Sequence, residues 1–128
     1  MEAVCPDIDY DGVLTVLEYS GEIFGKNKVC SNVLIGLGES NSTILRGLEW
    51  VAERGVVANL RPLLINPCMR QDIVEKTHCR AARPSANRII DLALNYSAIL
   101  ERNRLNSSRF RTICHKCTGC EIVPQQDV

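Results

Sequence analysis

A chain of 128 residues with 45% apolar side chains has the size of one domain and can build a core without disulfide help. Its fifteen basic and fifteen acidic side chains cancel, which argues against a whole-chain field drawing it to nucleic acid or an anionic membrane, although Arg102, Arg104, Arg109 and Arg111 form a local basic stretch. Residues 1–7 lack the basic flank and apolar region of an export signal, and no apolar run is long enough to span a bilayer, so a cytoplasmic protein is expected.

The first helix is expected from Asp9 or Asp11 as cap, with Val13, Leu14, Leu17 and Phe24 at helical spacing, Gly21 weakening it and Gly25 ending it. Residues 28–37 hold the unalternating run Val33-Leu34-Ile35, the pattern of a parallel strand covered on both faces. Residues 40–54 then place Ile44, Leu45, Leu48, Val51 and Ala52 on one stripe, with Ser40 or Ser42 as cap and Gly55 as stop. A second strand is expected over residues 56–65, with Pro62 marking an edge, a bulge or the strand's end. Strand, helix and strand in this order make a βαβ unit. After a polar stretch with a short helix around residues 71–77, Ser85 caps the longest helix, where Ile89, Leu92, Ala93, Tyr96, Ile99 and Leu100 form a continuous stripe. Residues 106–109 read as a polar linker. The remainder is too short for a core of its own and must be held by packing, metal or a partner.

Seven cysteines are an odd number, and in a reducing compartment they read as thiols or metal ligands rather than a disulfide framework. Cys5, Cys30, Cys68 and Cys79 are scattered, and each reads as a small buried hydrophobe. Cys114, Cys117 and Cys120 differ, because three thiolates at this spacing in one loop can reach one soft metal centre, zinc or iron-sulfur. Three ligands are one short of a closed tetrahedral set; His115, Cys79, His78 or a non-protein group would complete it.

The loop Gly36-Leu37-Gly38-Glu39-Ser40 stands at a strand's C-terminal end before a helix, where parallel α/β folds place ligand sites. It is no dinucleotide fingerprint, since Asn41 stands where the third glycine belongs, and no Gly-Lys-Ser phosphate loop exists. Glu39 reads either as a ligand-contacting carboxylate or as an acid favoured near a helix N-terminus. Asn59 and Arg61 alternate along the second strand and share one face, which suggests a polar cavity there or, for Arg61, a solvated strand end. No serine or cysteine sits in a nucleophile elbow, so a hydrolase triad has no support.

The stretch Val29-Cys30-Ser31-Asn32-Val33-Leu34-Ile35-Gly36-Leu37-Gly38-Glu39 resembles the fifth-strand region of radical S-adenosylmethionine enzymes of the biotin-synthase-like kind. There a G-x-I-x-G-x-x-E segment lies beside the cofactor's adenine. Gly36 and Glu39 match it, Leu34 replaces isoleucine and Asn32 replaces the first glycine. Leu60-Arg61-Pro62 and the closing Cys-His-x-Cys-x-Gly-Cys-x-x-x-Pro-x-x-Asp, from Cys114 to Asp127, resemble the C-terminal half of an archaeal, methanogen-type branch. The resemblance covers nearly the whole chain, and its severe departure is that the CxxxCxxC that holds the [4Fe-4S] cluster is absent.

The resemblance implies an α/β fold, a partial (β/α) barrel over residues 1–105 with a cysteine-rich extension over residues 106–128. It implies an S-adenosylmethionine wall made by Asn32, Leu34, Gly36, Gly38, Glu39, Asn59 and Arg61, and an iron-sulfur cluster or zinc at Cys114, Cys117 and Cys120. In a complete enzyme the first cluster reduces S-adenosylmethionine and releases a 5′-deoxyadenosyl radical that takes hydrogen from a small-molecule substrate. Half a barrel exposes sheet edges, so the chain is a fragment, needs an N-terminal half-barrel partner, or closes its edge by self-association. A small zinc- or iron-sulfur-binding module, or an interaction subunit without catalysis, is the alternative.

Overall fold

The computed structural model describes residues 7–78, 80–110, 119 and 121–128. Helix α1 spans Tyr10–Phe24, and Asp9 precedes it without a side-chain cap hydrogen bond. The expected apolar stripe of α1 splits. Leu17 packs on the core, while Val13 and Phe24 are exposed. Gly21 is buried, because α1 comes so close to the end of the next helix that a Cβ there would strike the Arg54 carbonyl oxygen. The glycine that weakens the helix thus permits its docking.

Strand β1 is Val29–Ile35 and strand β2 is Val56–Pro62; they pair in parallel from Val29↔Val56 to Ile35↔Pro62. Helix α2, Asn41–Glu53, is the crossover, with the Ser40 hydroxyl accepting the Thr43 amide at 3.2 Å as a cap. Helices α3, Arg70–Lys76, and α4, Ala86–Arg102, follow, the latter capped by Ser85. The core forms where Ile44, Leu48, Val51 and Ala52 of α2 meet the α4 stripe and β2, and all six expected stripe positions of α4 are buried.

Among the described residues the sheet has two strands and no barrel is evident, so the architecture is a small α/β fold of alternating helix and strand units. Several expectations need correction. Among the described residues β1 is covered on one face: Cys30, Asn32 and Leu34 are exposed while Ile35 is buried, since no second helix layer of those residues lies over them. β2 ends at Pro62 rather than at residue 65, one of the outcomes expected of that proline, with a last bond to β1 from the Leu63 amide. Cys30 and Cys68 are exposed, not buried; Cys5 and Cys79 lie outside the described residues.

The linker is anchored as well. Asn27 and Asn106 exchange two hydrogen bonds, at 2.9 and 2.6 Å, and buried Ser107 hydrogen-bonds the Pro124 carbonyl through its hydroxyl and Gln125 through its amide. Val123 and Pro124 are buried, so the described part of the tail is held by packing. The far edge of β2 is closed in consequence. Leu60 exchanges both backbone hydrogen bonds with Ile122, at 3.1 and 3.0 Å, and the Ala58 amide donates to the Tyr96 hydroxyl at 2.8 Å.

Candidate functional site

At the C-terminal end of β1 the chain turns through Gly36 and Gly38, both at positive φ of 123° and 101°. Only glycine takes such angles without strain. Both residues also face protein: a Cβ on Gly36 would strike the Ala82 carbonyl oxygen and come within 2.9 Å of Leu63 Cβ, and one on Gly38 would strike Arg80. The Ala82 amide donates to the Gly36 carbonyl at 2.8 Å. The segment between α3 and α4 therefore lies over this loop, and the glycines make room for it rather than for open space.

Glu39 folds back under the same turn. Its carboxylate accepts the Gly36 amide at 2.8 Å and the Leu37 amide at 2.7 Å. Arg88, near the start of α4, donates to Glu39 Oε1 at 3.2 Å, to the Glu39 carbonyl at 2.7 Å and to Asn41 Oδ1 at 2.8 Å. Glu39 stands directly before the Ser40 cap of α2, near a helix N-terminus as one of its two sequence-based readings has it. The side chain is an organiser that fixes the turn and ties the start of α2 to the start of α4, and charge-assisted bonds of this kind are among the stronger ones.

The second feature is the sheet face opposite the helices. Parallel register sets Asn32 beside Asn59 and Leu34 beside Arg61, so the predicted residues Asn32, Leu34, Asn59 and Arg61 do share one face, at or near the end where the Glu39 loop stands. Sequence reading missed the residue that joins them. Glu121, buried with 1% of its side chain exposed, accepts from Asn59 Nδ2 at 3.0 Å and from Arg61 Nη1 at 3.4 Å. Asn59 Nδ2 also points at Asn32 Oδ1, at 3.4 Å.

A buried carboxylate needs donors to offset its desolvation, and these two supply them. They also fix the Asn59 amide, because the opposite flip would face its oxygen to the carboxylate. Asn59 Oδ1 is left buried without a hydrogen-bond partner among the described residues. Chemically the face offers an acceptor and a half-exposed guanidinium. It positions polar groups, and among the described residues it contains no nucleophile paired with a base.

Cys114, Cys117 and Cys120 lie outside the described residues, as do Cys79 and His115; His78 is exposed. Among the described residues no three histidine, cysteine or acidic side chains gather to hold a metal, and no helix is long and apolar enough to cross a membrane. A groove of about 340 Å³ between α2 and α4, lined by Leu45, Glu49, Asn95 and Arg102 among others, contains none of the polar-face residues. Compared with family models, with curated proteins and with solved structures, the chain matches none.

Proposed function

We propose that this chain is the C-terminal portion of a radical S-adenosylmethionine (β/α) barrel, catalytically inert by itself and completed by a partner polypeptide that brings the CxxxCxxC cluster. One observation carries the reading: the parallel strands β1 and β2 are backed by helices on one face and present Asn32, Asn59 and Arg61 on the other. In a (β/α) barrel the face away from the helices is the lumen, and ligand sites gather where the strands end. The loop from Gly36 to Glu39 stands at that end.

The residues fit a supporting wall better than a set of direct ligands. Both carboxylate oxygens of Glu39 are engaged by its own turn, so Glu39 shapes the wall and leaves ligand contact to backbone and to its neighbours. Arg61 and the unpartnered Asn59 carbonyl are the polar groups of the lumen side, with Glu121 now holding Arg61. When bound, S-adenosylmethionine with a reduced cluster supplies one-electron hydrogen abstraction from a small-molecule substrate. This chain orients and shields.

Cys114, Cys117 and Cys120 are the proposed ligands of a second iron-sulfur centre. Anaerobic reconstitution with iron and sulfide tests it: broad visible absorbance with bound iron and acid-labile sulfide is expected, whereas a colourless protein with stoichiometric zinc makes these cysteines a structural zinc site. The whole reading is tested by purifying the chain from its native source. A co-purifying CxxxCxxC protein whose complex cleaves S-adenosylmethionine under reduction supports it. A solitary chain that neither binds such a protein nor promotes cleavage ends it.

A further inference from the structure

We infer that Glu121 and Ile122 form a latch: closed, it seats the chain's own carboxylate on Asn59 and Arg61 and caps the β2 edge; open, it frees those donors for the carboxylate of a small molecule. The catch has two parts. Glu121 accepts from Asn59 Nδ2 at 3.0 Å and from Arg61 Nη1 at 3.4 Å, while Ile122 and Leu60 exchange backbone hydrogen bonds at 3.1 and 3.0 Å. A side-chain amide and a guanidinium converging on one carboxylate are donors that a ligand carboxylate would also use. Here the carboxylate comes from within the chain.

Three features make the contact releasable. The first is its extent, because the Leu60–Ile122 pair is an isolated antiparallel bridge, whereas β1 and β2 are joined by a parallel ladder of seven pairs. The second is the placement of charge. Separating an ion pair is most costly where it strands a charge in the interior, but the Glu121 side chain is 1% exposed and that of Arg61 48%. Lifting Glu121 carries its carboxylate into water and leaves behind a guanidinium already half in water. The third is Asn59. With its Nδ2 held by Glu121, its Oδ1 is buried without a hydrogen-bond partner among the described residues, and an unmade bond of that kind is a standing cost of the closed state.

The turn that follows supplies the hinge. Asp127 Oδ2 accepts the Val123 amide at 2.8 Å, and the Val123 carbonyl accepts the amides of Gln126 and Asp127 at 3.1 and 3.0 Å. Ser107 pins this turn: its amide donates to Gln125 Oε1 at 3.0 Å, its carbonyl accepts Gln126 Nε2 at 3.0 Å, and its hydroxyl donates to the Pro124 carbonyl. Both Ser107 and Val123 are buried. Residues 121 and 122 therefore swing from a fixed base, and the bonds that break are those to Asn59, Leu60 and Arg61.

Native-state amide exchange on the full chain tests the latch, because neighbouring amides report different partners: Leu60 reports Ile122, Ala58 reports Tyr96, and Leu63 reports Ile35. Protection at Leu60 and Ile122 is expected to lie roughly tenfold or more below that at Ala58, Leu63 and Ser107. Glu121→Gln, which keeps the shape and removes the charge, should lower it by roughly a further tenfold at those two amides alone. If that variant does not fold, Ile122→Ala, which leaves all three polar side chains in place, should lower it several-fold. Sodium acetate at about 0.2 M, against equal sodium chloride at the same pH, should also lower protection at Leu60 and Ile122 several-fold in the unaltered chain, since a ligand of the open state raises its population. One protection value shared by Leu60, Ile122, Ala58 and Leu63 overturns the latch, as does a substitution effect spread equally over all four. Acetate acting no more strongly than chloride overturns the ligand class and with it the site. The inference rests on the proposed function only for taking the polar face as a ligand wall. Neither a cluster nor a partner enters the measurement, so the latch can stand where the radical reading falls. A CxxxCxxC partner found for a chain whose Leu60 and Ile122 never open separately removes the latch alone.

Discussion

Glu39 and Tyr96 each hold backbone amides that nothing else satisfies among the described residues, and each can be removed by one substitution. Replacing Glu39 by alanine strips acceptors from the Gly36 and Leu37 amides and leaves Arg88 without its carboxylate partner. The pair is only partly exposed, so the loss should cost about 2–3 kcal/mol, read as a lowered urea midpoint at unchanged slope. Tyr96 is a subtler case. Burial raises its phenol well above its ordinary pKa of about 10, and the Ala58 amide it accepts lowers it only in part. Below that pH neither the folded nor the unfolded chain ionises the ring. Above it the unfolded chain loses the proton first, binds fewer protons than the folded chain, and stability falls by about 1.4 kcal/mol per pH unit. Tyr96→Phe should abolish this alkaline component and, at neutral pH, cost about 1–3 kcal/mol because the Ala58 amide loses its acceptor. Chemical denaturation of both proteins between pH 8 and about 11 tests the sign; parallel curves would show that the phenol is not shielded.

At the scale of elements, two glycines should respond in opposite directions. Gly47 lies exposed within α2 with nothing within 4 Å of a Cβ built on it, so Gly47→Ala should stabilise by about 0.5–1 kcal/mol through helix propensity alone. Gly36 combines a φ of 123° with a clash against the Ala82 carbonyl, so Gly36→Ala should cost about 3 kcal/mol or more. Thermal or urea melts of the two variants suffice, and equal shifts would refute the packed loop. Helices α2 and α4 were legible in the sequence because their stripes are buried on one side and both carry serine caps. The single-faced burial of β1 was not, because Val33-Leu34-Ile35 is apolar without a break and Leu34 is exposed only because no second layer covers it among the described residues. The site was half legible. Period-two alternation placed Asn59 and Arg61 together, but Glu121 joins them across about sixty positions of chain, a separation no local pattern encodes.

The whole molecule depends on that same long-range contact, since the tail closes the edge that a two-stranded sheet would otherwise leave open. Ending the chain at residue 120 removes both Leu60–Ile122 hydrogen bonds, the buried side chains of Val123 and Pro124, and the carboxylate between Asn59 and Arg61. Losing one fully buried valine costs about 1.5–3 kcal/mol, and two backbone hydrogen bonds add about 1 kcal/mol each. The shortened chain should therefore lose about 3–5 kcal/mol, a large share of a small domain's stability. Its β2 edge, with Leu60 unpaired, should then recruit a second chain. Sedimentation at rising concentration is expected to show reversible association in the truncated protein. Ile122→Pro, which deletes the amide that donates to the Leu60 carbonyl together with the Ile122 side chain packed on the core, should show a weaker form of the same behaviour. A truncated chain that stays monomeric at full stability would mean that the tail guards nothing, and that the β2 edge is blunted by Tyr96 alone.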